Sequence, residues 1–184
     1  MSSIGRWLFR RRGAIGGAAF LALFAVGRPT AAGCVQALPV IGLGLLVRFW
    51  ASGFIGARGR VKELGQGEVV KWSSGPVAGW DTGERRIVAG PYRVLRHPLY
   101  IGNALLVAGM VWALRPAVWV GVAVLSLFCV EYLLIIAAEE RALAGLPLDR
   151  GARFRLARAA TEWSTWLVTA FAFGAVWLRA VLRG

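Results

Sequence analysis

Five apolar stretches, at about residues 13–27, 33–56, 99–114, 116–138 and 163–182, dominate this chain and restrict what it can fold into. A helix that crosses a bilayer takes roughly 20 apolar residues. Three of the stretches reach that length, and the two shorter ones can be accommodated by local thinning of the bilayer or by flanking residues. With 58% hydrophobic residues over 184 positions, the chain exceeds what a soluble core needs. The expected fold is all-α, a polytopic membrane helical bundle with about five transmembrane helices forming a single domain over 1–184, and the lipid bilayer is its first partner.

A net charge of +13 invites a nucleic-acid reading. The basic residues are instead scattered between apolar segments, with no basic-aromatic recognition module, so no nucleic-acid partner is expected. Topology accounts for them better. Arg6, Arg10, Arg11 and Arg12 precede the first stretch. The 57–98 loop carries Arg58, Arg60, Lys62, Lys71, Arg85, Arg86, Arg93 and Arg96, and the 139–161 loop carries Arg141, Arg150, Arg153, Arg155 and Arg158. The positive-inside rule puts the N-terminus and both long loops in the cytoplasm, in the cytoplasmic membrane. An odd number of spans leaves the C-terminus outside, which Arg179 and Arg183 mildly oppose. The first stretch lacks a small-residue cleavage site and reads as a retained helix.

The linkers Arg28-Pro29-Thr30 and Arg115-Pro116 are short enough to predict two helical hairpins. Residues 57–90 show no sustained apolar period and read as a long polar loop, with Trp72 and Trp80 joining Trp163 and Trp166 in an interfacial aromatic belt. Cys34 and Cys129 lie in apolar stretches without metal-ligand spacing and read as small buried hydrophobes; no metal is expected. Glycine pairs in the first two stretches allow close helix contact.

The string GPYRVLRHPLYIGN, residues 90–103, holds the only histidine of the chain where a basic loop meets an apolar stretch. Pro98 favours the first helical position, so a helix starts there with His97 near its N-cap, beside unpaired amides and a positive dipole end that attract a carboxylate or phosphate. Arg93 and Arg96 add positive charge, and Tyr100 and Asn103, three apart, share a helix face. Taken singly, the arginines are membrane anchors, the tyrosines interfacial and His97 a cap; their concentration within fourteen positions favours a site. The fourth stretch ends in EYLLIIAAEERALAG. Glu131, an acid inside a span, suggests a functional partner or an interhelical hydrogen bond. Glu139 and Glu140 end on the same side as the arginine string, where they either receive a cationic ligand group or simply pair with arginines of the neighbouring loop.

These residues resemble a known family. GPYRVLRHPLYIG fits the G-P-Y-x-x-x-R-[HN]-P-x-Y-x-G signature of the isoprenylcysteine carboxyl methyltransferase and phospholipid methyltransferase superfamily through Gly90, Pro91, Tyr92, Arg96, His97, Pro98, Tyr100 and Gly102. Glu139, Glu140 and Leu143 fit its E-E-x-x-L ending, and RFWASGFI at 48–55 is similar to the family's stretch ahead of the loop. Relatives continue with a Phe-Gly-x-x-Tyr-x-x-Tyr helix that helps close the cofactor pocket. This chain has AGLPLDRGARFRLARAA there, with Phe154 in place of one tyrosine and Gly151 for the glycine.

The resemblance implies methyl transfer from S-adenosyl-L-methionine to a hydrophobic small molecule or lipid-like, isoprenoid acceptor, as carboxylate O-methylation or amine N-methylation. It implies a cofactor pocket of Pro91, Tyr92, His97, Pro98, Tyr100, Gly102, Glu139 and Glu140, with Arg96 and Glu140 in catalytic roles. Two alternatives stand beside it: an NADPH-dependent membrane reductase of the sterol-reductase type, whose similar string has an asparagine where Leu99 stands, and a non-catalytic membrane scaffold. Neither the acceptor nor the oligomeric state is written in the apolar segments.

Overall fold

The computed structural model describes residues 3–55, 86–144 and 146–183. Most of the polar loop, with Trp72 and Trp80, lies outside the described residues. Five long helices dominate: α1 (Ser3–Val26), α2 (Ala31–Ile55), α4 (Pro98–Leu114), α5 (Val118–Leu143) and α7 (Trp163–Arg183), with short helices α3 (Pro91–Val94) and α6 (Leu156–Ala159) between them. Among the described residues the only sheet is a parallel pair of two-residue strands, β1 (Arg86–Ile87) and β2 (Leu148–Asp149), so the all-α class holds. Three segments are long and apolar enough to cross a membrane, Ala31–Ile55, Val118–Arg141 and Leu156–Arg183, and α4 is a shorter apolar helix. In α1 the arginines at 6 and 10–12 occupy the first half of the helix, leaving a short apolar remainder.

Two boundaries differ from the sequence reading. Helix α1 begins about ten residues early, and α5 runs on to Leu143, so Glu139 and Glu140 lie on its last turns rather than in a loop. Helix formation there needs no apolar residue: Ala, Glu, Arg and Leu all have high helix propensity.

Both tight linkers are present. Thr30 starts α2, its hydroxyl accepting the Gly33 N–H at 3.1 Å and its carbonyl the Cys34 N–H at 3.0 Å. Arg115 ends α4 in the left-handed region at φ 46°. The helices joined by these linkers are nevertheless not the main packing partners: α2 packs chiefly against α4, and α1 lies along α5. Small residues explain the choice. A Cβ placed on Gly44 of α2 would come within 2.9 Å of the Gly102 carbonyl, and one on Gly109 within 2.5 Å of Ile41. Only glycine lets the two backbones approach so closely. Gly16, Gly17 and Gly42 have open space around them and serve no such contact.

The apolar core, built from Leu23, Cys34, Ala37, Ile41, Ala113, Leu114, Val176 and Ala180, gathers at one end of the bundle, where α1, α2, α4 and α7 meet. The outer faces of α5 and α7 leave Trp119, Leu127, Leu133, Phe171 and Leu182 exposed, as lipid-facing surfaces do. Cys34 is buried, but Cys129 is exposed on α5 among these residues, contrary to its expected burial. The stretch is apolar all round, so its periodicity does not show which side faces lipid.

Candidate active site

At the opposite end of the bundle the start of α4, the end of α5, the end of α2 and the start of α7 converge, and the polar side chains converge with them. The approach to α4 is fixed locally. Gly90 takes φ 57°, a left-handed conformation natural to glycine, and a Cβ there would also strike the Phe54 ring. Pro91 then opens α3 and Pro98 opens α4, both buried, as the missing N–H of proline allows. His97 is the N-cap residue of α4, yet its side chain makes no cap hydrogen bond. The imidazole reaches α5 instead.

There His97 Nε2 lies 2.9 Å from Glu140 Oε1, and its Nδ1 lies 3.8 Å from Glu139 Oε2. The Tyr100 hydroxyl donates to Glu139 Oε2 at 2.6 Å, and its ring stacks on His97 with centroids 5.6 Å apart. Arg86 donates to both Glu140 oxygens, at 3.1 and 2.7 Å, a bidentate pair. The Glu–Arg pairing that spacing left open is therefore real for Glu140. Glu139 has no guanidinium partner among the described residues. Arg96 stands at the rim, 75% exposed, with its Nε 4.0 Å from Glu140 Oε1.

Tyr92 lies behind this cluster with its hydroxyl buried and without a hydrogen-bond partner among the described residues. Burial first, then the charges of Glu139 and Glu162, pushes its phenol well above the usual tyrosine range. Gly102 does not line the cluster. It faces α2, where a Cβ would meet Arg48 Cγ at 2.5 Å and the Gly44 carbonyl at 3.0 Å.

A second polar group was missed in the sequence. Glu162, 3% exposed, accepts from Arg48 Nε at 3.0 Å and Nη2 at 2.7 Å on one oxygen, and from Ser52 at 2.8 Å on the other. Arg48 also donates to Asn103 Oδ1 and to Thr165 at 3.3 Å. Asn103 Nδ2 in turn donates to the Tyr132 hydroxyl at 2.8 Å, and Tyr132 meets Tyr100 edge-on at 5.1 Å. Arg48 was the available signal: a charged residue inside a 25-residue apolar helix carries the same warning that singled out Glu131. Glu131 itself has no contact with the His97 cluster; one of its oxygens is buried without a hydrogen bond among the described residues, with Arg12 of α1 as the opposing charge.

The segment after α5, where the tyrosine pattern is missing, is anchored by other means. Phe154 contacts the rings of Phe49 and Phe54 at 5.9 and 6.0 Å. It lies over Gly53, where a Cβ would run into its ring. The Arg155 N–H donates to the Gly53 carbonyl at 2.9 Å, Arg158 donates to the Phe54 carbonyl at 2.9 Å, and β2 pairs with β1 beside Arg86.

The family model for phospholipid methyltransferases matches residues 34–146, more than half of the chain. The chain belongs to the phospholipid methyltransferase family. No curated protein and no solved structure matches it. In this phospholipid methyltransferase family member the matched region contains Arg48, the whole 90–103 string, Tyr132, Glu139 and Glu140. Phe154, Glu162 and Thr165, which pack onto that region, lie beyond it.

Proposed function

We propose that this protein is an integral-membrane methyltransferase that uses S-adenosyl-L-methionine and acts on a lipid-like or isoprenoid acceptor. The observation that carries the reading is the convergence of His97, Tyr100, Glu139 and Glu140 from two helices into one hydrogen-bonded group beside a buried Tyr92 hydroxyl that has no hydrogen-bond partner among the described residues. Those residues suit the donor. Glu139, which has no guanidinium partner among the described residues, presents negative charge to a cationic group; Tyr92 offers a hydrogen-bond donor; and exposed Arg96 can reach a carboxylate at the rim. Pro91 and Pro98 fix the two turns on which these side chains stand, and Gly102 acts indirectly by letting α2 bring Arg48 close.

When bound, the donor supplies an electrophilic methyl group on a sulfonium. The work left to the protein is to hold donor and acceptor in line and to exclude water. A carboxylate acceptor needs no base. An amine acceptor must lose a proton, and the His97–Glu140 pair, 2.9 Å apart and tied to Arg86, is placed to receive it.

The orientation follows from charge. Arg10, Arg11, Arg12, Arg86, Arg93, Arg96, Arg141, Arg153, Arg155 and Arg158 cluster toward the site end, against Arg28, Arg115, Arg179 and Arg183 toward the other. The site end is cytoplasmic by the positive-inside rule, in the cytoplasmic membrane, where a water-soluble donor meets a bilayer-borne acceptor. Calorimetry with S-adenosylhomocysteine on purified protein tests the pocket: His97→Ala and Glu140→Ala each weaken binding, and unchanged affinity in both refutes the assignment. Incubating membranes with labelled S-adenosyl-L-methionine then identifies the lipid fraction that gains a methyl group.

A further inference from the structure

The buried network around Arg48 fixes the direction of one hydrogen bond, and that direction has a chemical meaning. A guanidinium can only donate. Because Arg48 donates to Asn103, the atom facing it must be the amide oxygen, and the amide nitrogen of Asn103 is left to face Tyr132. The flip ambiguity that usually attends an asparagine is removed by its neighbours. Tyr132 must therefore accept from Asn103, and its own proton has no acceptor among the described residues.

Glu162 holds the first link. It is buried and bonded on both oxygens, so Arg48 cannot swing away, and the chain Glu162–Arg48–Asn103–Tyr132 reaches from the start of α7 across α2 and α4 to α5 in a fixed sense. Tyr132 ends one ring away from the Glu139 carboxylate, since its neighbour Tyr100 donates to Glu139. Tyr92, the other phenol whose proton has no acceptor among the described residues, lies within the fields of Arg48, Glu162 and Glu139. Two unassigned O–H donors thus border the same site.

We infer that Tyr132 is a specificity-determining residue whose hydroxyl donates to an oxygen of the bound acceptor, a carboxylate or phosphate-ester oxygen, with Asn103, Arg48 and Glu162 as positioning residues. The inference rests on the methyl-transfer reading for the role of this ligand as the methyl acceptor. A protonated amine head has no lone pair for such a donor and is disfavoured at this position.

The test uses the full-length protein in detergent and three amphiphiles with one tail: farnesoic acid, farnesyl monophosphate and farnesylamine. Affinities are measured by thermophoresis for wild type, Tyr132→Phe and Asn103→Asp. Wild type should bind at least one oxygen-headed probe about tenfold or more tighter than the amine, and the preferred probe tells carboxylate from phosphate. Tyr132→Phe, nearly isosteric, should lose that preference by about tenfold, equivalent to ~1.4 kcal/mol. Asn103→Asp should lose it too while keeping the phenol, because aspartate only accepts and turns the Tyr132 proton inward. Equal binding of acid, phosphate and amine by wild type, no binding of any of them, or undiminished preference in both variants overturns the inference. Calorimetry of wild type with S-adenosylhomocysteine is run separately: its failure sinks the methyl-transfer reading and leaves the oxygen preference standing or falling on its own data.

Discussion

Removing Glu162 is the most informative perturbation of this fold. In Glu162→Leu, Arg48 keeps a side chain only 12% exposed but loses the carboxylate that takes two of its donors, and Ser52 loses its acceptor. Breaking a buried ion pair from one side costs about 3–5 kcal/mol, because an uncompensated charge stays behind. The orphaned Ser52 hydroxyl adds about 1 kcal/mol. A loss of about 4–6 kcal/mol in a chain of this size lowers the thermal midpoint by roughly 8–24 °C, easily read by thermal denaturation in detergent. The double variant Arg48→Met/Glu162→Leu removes both charges and should recover most of that loss, since apolar replacements for a buried pair are often neutral or better. It should not recover acceptor binding, because Asn103 is then free to flip. If Glu162→Leu melts with wild type, or if the double variant is no more stable than the single one, Arg48 and Glu162 do not form a buried strut.

Three further outcomes concern single positions. Gly44→Leu should prevent close approach of α2 and α4, since even a Cβ meets the Gly102 carbonyl at 2.9 Å, and should lower stability by about 2 kcal/mol or more; a thermal midpoint within about 2 °C of wild type, on the order of a 1 kcal/mol effect, would contradict the crossing. Gly90→Ala should cost about 1–3 kcal/mol from the positive-φ backbone alone, plus displacement of Phe54, with S-adenosylhomocysteine affinity falling in the same calorimetric assay; an unchanged affinity argues that the α3 turn does not shape the pocket. In a Tyr100→Phe/Tyr132→Phe background only Tyr92 titrates, and absorbance in the phenolate band should show its midpoint above the ordinary value of about 10. Because the phenol is raised in the fold, the stability it contributes is complete below pH about 10 and declines as the pH climbs toward its folded value; a midpoint at or below about 10 refutes its burial.

Much of the helical layout was legible because apolar stretches near the bilayer's thickness have few alternatives to spanning it. The start of α4 at Pro98 was equally plain, since proline disfavours helix in the residue before it and suits the first position of a new one. The 90–103 string and the Glu139–Glu140 ending, which the fold brings together, were legible as a candidate site because they stand out against an apolar background. The extent of α5 was harder: Glu139 and Glu140 look like loop to a hydropathy window, but they are good helix formers. Arg48 and Glu162 were invisible as partners, being 114 positions apart.

The sequence by itself determined that this chain lies in a membrane as helices, where its breaks fall, and which string concentrates polar residues against the apolar background, because those properties depend on local composition and on the backbone rules of proline and glycine. Only the tertiary structure decided that α2 takes α4 rather than α1 as its main partner, that Glu140 is held by Arg86 while Glu139 accepts from Tyr100, and that Glu162 orients Asn103 through Arg48. These are relations between distant residues. They are set by which backbones can approach closely and by the requirement that buried charges find partners, and neither condition can be evaluated until the helices have packed.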